Sequence, residues 1–539
     1  MTERRRDRLM ILGAGVMQGP AIRLAGEMGL ETVVVDADPR APCAALADRF
    51  ERIDLKDKEG IEALGRSLLE NGGLSGIMTA GTDFSASVAW AAGRLGLPGI
   101  PYEAALNASD KERMRRCFKT AGLPSPEFVV LRQTPPRDYR LPFPYPVVVK
   151  PVDNMGARGC RRVDAPDALE AAVTDALGFS RTGRVIVEEY MEGPEYSVDA
   201  LIYRDEITIC GLADRHIFFP PFFIEMGHTI PAELPPEPRE ALLDVFTRGV
   251  RALGLTGATP VGAAKGDLKL TPRGPMIGEI AARLSGGYMS GWTFPYASAV
   301  EVTRGAIRAA MGKAPGNLKP RRDWTCAERA FISIPGKVRA IQGLKEAEAL
   351  PFVKNLFLRA AVGSRVYFPE NNVTKCGNIL AAAPARETAR AAAESAVRTV
   401  LIRLEAPDEE TELFLSAPAH AAYGGGIFDG AMGGELYSAL KRLPSPELQA
   451  EFQAAQDLGI IPFPEFTRSG WGDYLGRSPL ESLDAVRSLT GLALPLEKEA
   501  APQPLLGRTF WTAMIRGGYQ GAAYVVDCFL QGIRLNLEA

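Results

Sequence analysis

Asp267, Glu279 and Arg283 are the residues of this 539-residue sequence whose types and spacing first suggest chemistry. The stretch from Asp267 to Arg283 alternates apolar and polar residues, breaks at Pro272-Arg-Gly-Pro275 and alternates again, the pattern of a β-hairpin. Asp267 falls on the first strand and Glu279 on the second. Pairing then brings two carboxylates to neighbouring positions, where they can share a hard divalent cation. Arg283 follows where Leu-Ser-Gly-Gly loosens the chain. Two acids and an arginine at one end of a hairpin suit phosphates and Mg²⁺. A second group lies upstream. The apolar run Pro146-Val-Val-Val ends in Lys150-Pro151 and leads into Asp153-Asn-Met-Gly156-Ala-Arg158-Gly159. Backbone N–H groups of such a loop, with a lysine charge beside them, can be set against a polyanion. A third group is Glu225 and His228, in an aromatic, proline-rich segment from Phe218 to Pro231 read as a loop. Two polar groups three positions apart in such a setting suit a small-molecule pocket. His216 and His420 have no comparable surroundings and are read as structural.

The elements that position these groups follow from hydrophobic patterning. Arg8–Leu12 is read as a strand, Gly13-Ala-Gly15-Val-Met-Gln-Gly19 as a loop opening a helix through Met28, and Thr32–Val35 as a second strand ending at Asp36. Gly76–Thr79 is another strand, Ala80-Gly-Thr-Asp83 the loop after it, and a helix then runs to Leu95. Strands alternating with helices imply a parallel sheet covered on both faces. The spacing Gly-x-Gly-x-x-x-Gly is one residue longer than the dinucleotide fingerprint, so the glycines are assigned to a tight turn and close helix–strand packing rather than to NAD. Ser109 is expected to cap a helix that opens at Lys111, and Pro166–Leu177 to form another. Arg329–Ile334, Arg365–Phe368 and Asn378–Ala383 read as strands, with Pro384 in the first turn of the helix that follows. Beyond residue 404, Tyr423–Gly430 reads as a loop and Ser445–Leu458 as a helix. Trp511–Leu530 reads as a buried helix pair or an interaction surface.

A chain of this length suggests three or four domains. The net charge of −3 shows no basic excess of the nucleic-acid-binding kind. Seven cysteines without a Cys-x-x-Cys pair argue against a zinc site or disulfide framework and fit a reducing compartment. The basic start passes quickly into Gly13-Ala-Gly15, which reads as a strand entering a loop rather than a signal peptide, and no apolar run approaches the ~18 residues of a membrane span. The expected location is the cytoplasm, with no nucleic-acid or membrane partner.

Lys111 at a helix start, Val-Val-Lys150-Pro with its glycine loop, Val-Glu188-Glu189-Tyr-Met-Glu-Gly-Pro-Glu195, and the Asp267/Glu279/Arg283 hairpin occur in the order used by the ATP-grasp superfamily. From about residue 8 to residue 400 the chain resembles that superfamily, in its carboxylate–amine ligase branch, and is similar to bacterial L-amino-acid ligases. The resemblance implies an α/β and α+β chain: a Rossmann-like pre-ATP-grasp domain over 1–105 and an ATP-grasp domain of two lobes over 106–320, its nucleotide lobe at about 145–205. An associated C-terminal lobe over 321–405 and a further region over 406–539 would complete it. It further implies that Lys111 and Lys150 contact ATP phosphates and that Asp153, Asn154, Met155, Gly156, Ala157, Arg158 and Gly159 close over them. Glu188, Glu189, Tyr190 and Met191 would form the hinge beside adenine, and Glu195 would reach the ribose. Asp267 and Glu279 would hold Mg²⁺, and Arg283 would stabilise the reacting phosphoryl or acyl oxygen. Glu225 and His228 resemble substrate-loop residues of the amino-acid-ligase branch. Many relatives carry Glu-x-Asn-x-Arg where this chain has Glu279-Ile-Ala281-Ala-Arg283, and Glu where it has Asp267. The implied activity is ADP-forming ligation of a small-molecule carboxylate to a nucleophile, an amine ahead of a thiol, with a homodimer as the implied assembly. A purine-pathway or carboxylase-type enzyme, or an ATP-binding regulator with impaired catalysis, stand as alternatives.

Overall fold

The computed structural model describes residues 6–416, 427–428, 434–448, 458–468, 470–496, 505–535 and 537. The chain falls into two compact units: Met1–Ile217 with Gly227–Glu328 and Ala382–Ala389, and Phe218–Met226 with Arg329–Ala381 and Arg390–Ala539.

The first unit opens with β1 (Arg8–Leu12), α1 (Gly19–Glu27), β2 (Glu31–Asp36), β3 (Arg49–Arg52), α2 (Lys58–Glu70), β4 (Gly76–Thr79) and α3 (Ser85–Arg94). The strands form the expected parallel sheet, in the order β3-β2-β1-β4. Met10, Leu12, Val33 and Val35 feed one apolar core while Leu9, Ile11 and Val34 feed another, which is why the strands read as continuous apolar runs. The glycine loop after β1 is occupied by the chain itself. Gln18 Oε1 accepts the Gly15 N–H at 2.9 Å, and Asp36 Oδ2 accepts the Ala14 N–H at 2.8 Å. These are donors that a pyrophosphate would need, so the loop serves packing as the glycine spacing indicates.

Next come α4 (Tyr102–Asn107), α5 (Lys111–Thr120), β5 (Phe128–Leu131), β6 (Val147–Pro151), β7 (Arg161–Val163), α6 (Leu169–Phe179) and β8 (Val185–Glu189). The four strands make an antiparallel sheet, β5-β8-β6-β7. The cap of α5 is Asp110, whose carboxylate accepts the Arg113 N–H. Ser109, the expected cap, instead donates its hydroxyl to the Ala105 carbonyl at 2.8 Å. Asp110 lies one residue nearer the helix and has the side-chain reach to its third N–H.

The rest of this unit is built on β9 (Glu195–Tyr203), β10 (Glu206–Phe218), β11 (Ile224–Ile230), α7 (Pro236–Ala252), β12 (Val261–Thr271), β13 (Gly274–Ala281), α8 (Phe294–Ser298), α9 (Val302–Ala310) and β14 (Thr325–Phe331). Its sheet runs β13-β12-β9-β10-β11-β14, with residues 227–230 of β11 and 325–328 of β14 inside the unit. Leu242, Phe246 and Val250 of α7 pack with Val198, Leu268 and Ile277 on one face. Successive strand residues point to opposite faces, so Glu195, Ser197, Asp199, Lys265, Asp267 and Lys269 line the other. The segment 218–231 is not the loop expected: β10 runs to Phe218 and β11 begins at Ile224.

In the second unit, strand Val353–Leu358 pairs antiparallel with strand Gly377–Ala383, of which residues 377–381 lie in this unit, and a small sheet joins Gly336–Gln342 to Arg365–Val366 and Leu401–Leu404. The helix after Pro384 begins at Arg386, so the proline precedes the helix instead of lying in its first turn. Arg508–Leu530 is a buried pair of helical segments joined at Gly518, whose φ of 60° and ψ of −151° only glycine adopts readily. Trp511, Met514 and Tyr524 share one core with Ile334, Ile379 and Leu404, so these described residues beyond 405 pack within this unit. Tyr519 and Gln520 add hydrogen bonds to Ile402 and Ser333, at 3.0 and 2.7 Å. Most of the expected loop at 423–430, residues 449–457 of the expected helix, His420 and the basic first five residues lie outside the described residues. Among the described residues no helix is long and apolar enough to cross a membrane.

Candidate active site

The β12–β13 hairpin turns at Pro272-Arg273 and pairs Thr271 with Gly274 through Leu268 with Ile277. The register then shifts by one, so that Asp267 lies opposite Glu279. Gly278 is the extra residue, and a Cβ there would lie 3.0 Å from the Asp267 carbonyl oxygen. Without the bulge Glu279 would oppose Gly266, on the face that packs under α7. The bulge therefore turns the two carboxylates to one side of the sheet.

Each carboxylate meets cations. Asp267 is ion-paired with Lys265 and, at 3.1 Å, with Arg215; Ser197 Oγ donates to it at 3.1 Å. Glu279 lies 3.6 Å from Lys111 Nζ. Burial would raise the Glu279 carboxyl, but Lys111, Lys265, Lys150 and Arg283 outweigh it and hold it down at about 2. Its side chain is 38% exposed, so solvent weakens that field and the direction is the firm part. Lys111 also donates to the Asn154 carbonyl at 2.8 Å. Burial lowers the Lys111 ammonium, and Glu279 and Asp83 more than restore it.

Lys150, at the end of β6, pairs with Glu188 on β8 at 2.7 Å. Glu188 is 2% exposed and takes two further bonds from Arg115, at 2.8 and 3.2 Å. Burial would raise this carboxyl; Arg115 and Lys150 hold it below its ordinary value. Arg115 also donates to the Gly278 carbonyl at 2.5 Å. One guanidinium thus ties the bulge that aligns Asp267 and Glu279 to the counter-ion of Lys150.

Around this centre, the Asp153 carboxylate accepts from Ser180 Oγ and the Arg181 N–H, and Asn154 Nδ2 donates to the Phe179 carbonyl. These two side chains fasten the base of the loop to the end of α6. Gly156, Ala157 and Gly159 take positive φ, and Arg158 Nε donates to the Met155 carbonyl. The N–H groups of Glu189 and Tyr190 go to the Glu127 and Pro146 carbonyls, while the Met191 carbonyl accepts from Lys269 at 3.1 Å. Glu189 pairs with Arg273, and Glu195 with Arg215 and, at 3.8 Å, with Lys269. Arg283 Nη1 donates to the Leu284 carbonyl at 3.0 Å. Ser285 is held by Asp199 through its N–H, at 3.0 Å, and its hydroxyl; burial pushes the Asp199 carboxyl up to about 6.

A family model for the ATP-grasp domain matches residues 143–290, which hold this hairpin, β6 and its loop. Residues 143–290 thus carry an ATP-grasp domain. A second model, the L-amino acid ligase C-terminal domain 2, matches residues 330–405. Carnosine synthase 1 of Gallus gallus is 27% identical over 314 residues, 53% of this chain and 33% of that protein, so the chain spans about a third of that relative. The D-alanine–D-alanine ligase of Desulforudis audaxviator is 29% identical over 264 residues, 43% of this chain and 80% of the relative. The L-amino acid ligase of Bacillus licheniformis has the same fold at 23% identity, with a TM-score of 0.64 over 75% of this chain and 100% of that one.

The structure does not bring Glu225 and His228 into one group. Both lie on β11, where a three-residue separation turns side chains of a regular strand to opposite faces. Glu225, in the second unit, bonds through its backbone: its N–H to Asn372 and its carbonyl to Lys375. His228, in the first unit, is fully buried, with Nδ1 3.2 Å from Glu328 and Nε2 2.9 Å from Thr293 Oγ1. Arg115, Asp199, Lys265 and Arg215 were missed from sequence. Lys265, two residues before Asp267 on one strand face, carried the only sequence signal among them.

Proposed function

We propose that the chain is an ATP- and Mg²⁺-dependent, ADP-forming ligase that joins a small-molecule carboxylate, of amino-acid type, to an amine. The observation that carries the reading is the register of Asp267 against Glu279 on a face shared with Lys265, beside Lys111 and Lys150. Two carboxylates fit Mg²⁺, which is commonly bound through one or two carboxylates and the substrate's phosphates. Asp267 and Glu279 would hold it, and bound there it would neutralise phosphate charge. A substrate carboxylate oxygen attacks the γ-phosphorus and the bond to ADP breaks, giving an acyl phosphate. The amine then attacks the acyl carbon, phosphate leaves and the amine proton is lost. Lys111 and Lys150 orient the phosphates, and Arg283 faces the charge that grows on the transferring oxygen. Seven cysteines without a Cys-x-x-Cys pair support a cytoplasmic setting. The test is ADP release from Mg·ATP with L-amino acids and short carboxylic acids, singly and in pairs. The expected result is release that depends on both a carboxylate and an amine, with a joined product; ADP release indifferent to carboxylate overturns the reading.

A further inference from the structure

Arg283 stands in a turn that is fastened from two sides. Leu284, the next residue, forms a parallel bridge with Ala80, and its carbonyl accepts the Gly81 N–H at 3.3 Å. Gly81 has φ of 63°, and a Cβ there would lie 2.7 Å from Met17 Cβ and 3.3 Å from Gly286 Cα, so the approach of the two loops needs glycine. From the sheet, Asp199 on β9 takes both donors of Ser285: Oδ1 accepts its N–H at 3.0 Å and Oδ2 its hydroxyl. Ser290 Oγ donates to the Ser285 carbonyl at 2.8 Å. Each polar group of Ser285 is thus engaged inside the protein, and the pair is buried, Asp199 at 1% exposed and Ser285 at 2%.

Asp199 differs from the other acids of the site. Glu188, Glu195, Asp267 and Glu279 each lie within ion-pair distance of a lysine or arginine, whereas among the described residues Asp199 has no such pair. A buried carboxylate is costly unless hydrogen-bonded, and here both oxygens are given to one serine. The cations nearby are not in contact: burial raises the Asp199 carboxyl, the two Ser285 bonds lower it most, and Lys265 and Arg283 lower it less. The Arg283 guanidinium has little else to fix it. Nη1 donates to the Leu284 carbonyl within the same turn, Nε is buried without a partner, and no carboxylate pairs with it among the described residues. Where the guanidinium points therefore follows from where the turn is held.

We propose that Asp199 is a positioning residue for Arg283: by clamping Ser285 it holds the turn so that the guanidinium meets the transferring oxygen. The inference rests on the ligase reading, in which Arg283 faces that oxygen. Neither Asp199 nor Ser285 is placed to take a proton from substrate, because both are buried and the serine hydroxyl already donates to the carboxylate. The clamp acts on geometry. A displacement of ~1 Å in a group that stabilises a transition state lowers turnover by ~10²-fold without a like effect on ground-state binding.

The experiment measures carboxylate-dependent ADP release by the full chain carrying Asp199→Ala, Asp199→Asn or Arg283→Ala, and Asp199→Ala combined with Arg283→Ala. Asp199→Ala is expected to lower kcat by about 30-fold or more while KM for ATP stays within about twofold. Asparagine still accepts the Ser285 N–H and can turn its amide to the hydroxyl, so Asp199→Asn should recover about tenfold of that loss. In the Arg283→Ala background the same Asp199→Ala change should cost less than about threefold, since the group it positions is gone. Hydrogen exchange of residues 282–290, read by mass spectrometry, should quicken by about tenfold or more in Asp199→Ala and not in Arg283→Ala. Ser285→Ala takes the place of Asp199→Ala throughout should that variant not fold. An unchanged kcat or unchanged exchange overturns the inference. So does a loss of equal size with Arg283 absent, which would show that Asp199 acts elsewhere. An asparagine variant as slow as the alanine one also overturns it, by assigning the carboxylate's charge and not its hold to the reaction. A wild type without carboxylate-dependent ADP release overturns the ligase reading and the inference with it; each of the other results overturns the inference alone.

Discussion

Replacing Arg115 by lysine tests the link between the two halves of the site. Arg115 is 1% exposed and makes three bonds, two to Glu188 and one to the Gly278 carbonyl. Lysine keeps the charge but not the planar fork, so one ammonium cannot serve the carboxylate twice and the carbonyl as well. A hydrogen bond involving a charged group contributes about 1.5–3 kcal/mol, and breaking a buried pair costs about 3–5 kcal/mol. Loss of two of the three contacts is therefore expected to destabilise the region by about 3–5 kcal/mol, a factor of roughly 10²–10⁴ in its opening equilibrium. The Gly278 carbonyl also loses its tether, and a displacement of Glu279 by ~1 Å is expected to lower kcat by ~10²-fold. Hydrogen exchange of the β6, β8 and β13 segments, followed by mass spectrometry, reads the first effect locally, because two compact units need not unfold together. Steady-state ADP release reads the second. Exchange and kcat both within twofold of wild type would refute the idea that Arg115 couples Lys150 to the metal carboxylates.

Glu279→Gln is expected to lower kcat on the order of 100-fold with little loss of ATP affinity, measured by ADP release and nucleotide titration. The Glu279 carboxyl is depressed from 4.5 to about 2, so the stability it contributes is present above pH ~4.5 and lost as pH falls towards 2. Acid unfolding of the glutamine variant should be correspondingly shallower. Asp199 has the opposite sign: its carboxyl rises from 3.8 to about 6, so the folded chain binds the extra proton and stability declines as pH rises through that window. Asp199→Asn should remove this decline and, at pH 7, equal or exceed wild-type stability by about 1–3 kcal/mol in denaturant titrations; a decline that persists in the variant refutes the assignment. His228→Ala leaves Glu328 without its imidazole neighbour and should cost about 1–3 kcal/mol in stability while ATP binds normally; a variant of unchanged stability with selective loss of ligation would instead give His228 a substrate role.

The parts legible in the sequence are those where one local rule decides the outcome. Gly76–Thr79 is a strand at the residues expected, and the hairpin follows from alternation around Pro272. Phe218–Pro231 was harder because Phe219-Pro-Pro-Phe222 is a true turn whose composition masks the seven-residue β11 beside it. The strand, not a loop, separates Glu225 from His228. The bulge at Gly278 is also invisible in composition, since one extra glycine moves every later side chain to the other face without altering the hydrophobic pattern nearby. Asp83 belongs to no motif at all. Its place depends on a loop of one sheet meeting the end of β13, a long-range contact that sequence spacing does not carry.

The ion pairs of the site set a condition on nucleotide binding. Lys111 faces Glu279, Lys150 faces Glu188, and Lys265 and Arg215 face Asp267. A polyphosphate brought here alone must draw these cations away from carboxylates that then lie close to it. Glu188 retains Arg115 whatever Lys150 does, because that pair is buried and bidentate. Among the described residues Glu279 has no such second partner in contact, and Lys111 at 3.6 Å is its looser neighbour. Lys111 can therefore turn to phosphate only when the Glu279 charge is compensated in another way, which in the proposed ligase is the place of Mg²⁺. The sign of one comparison follows. In Glu279→Gln, Lys111 loses its nearest competing carboxylate, so Mg²⁺-free ATP should bind more tightly than to wild type even though turnover falls. Weaker binding of Mg²⁺-free ATP by that variant would mean that Glu279 organises Lys111 for the nucleotide rather than withholding it.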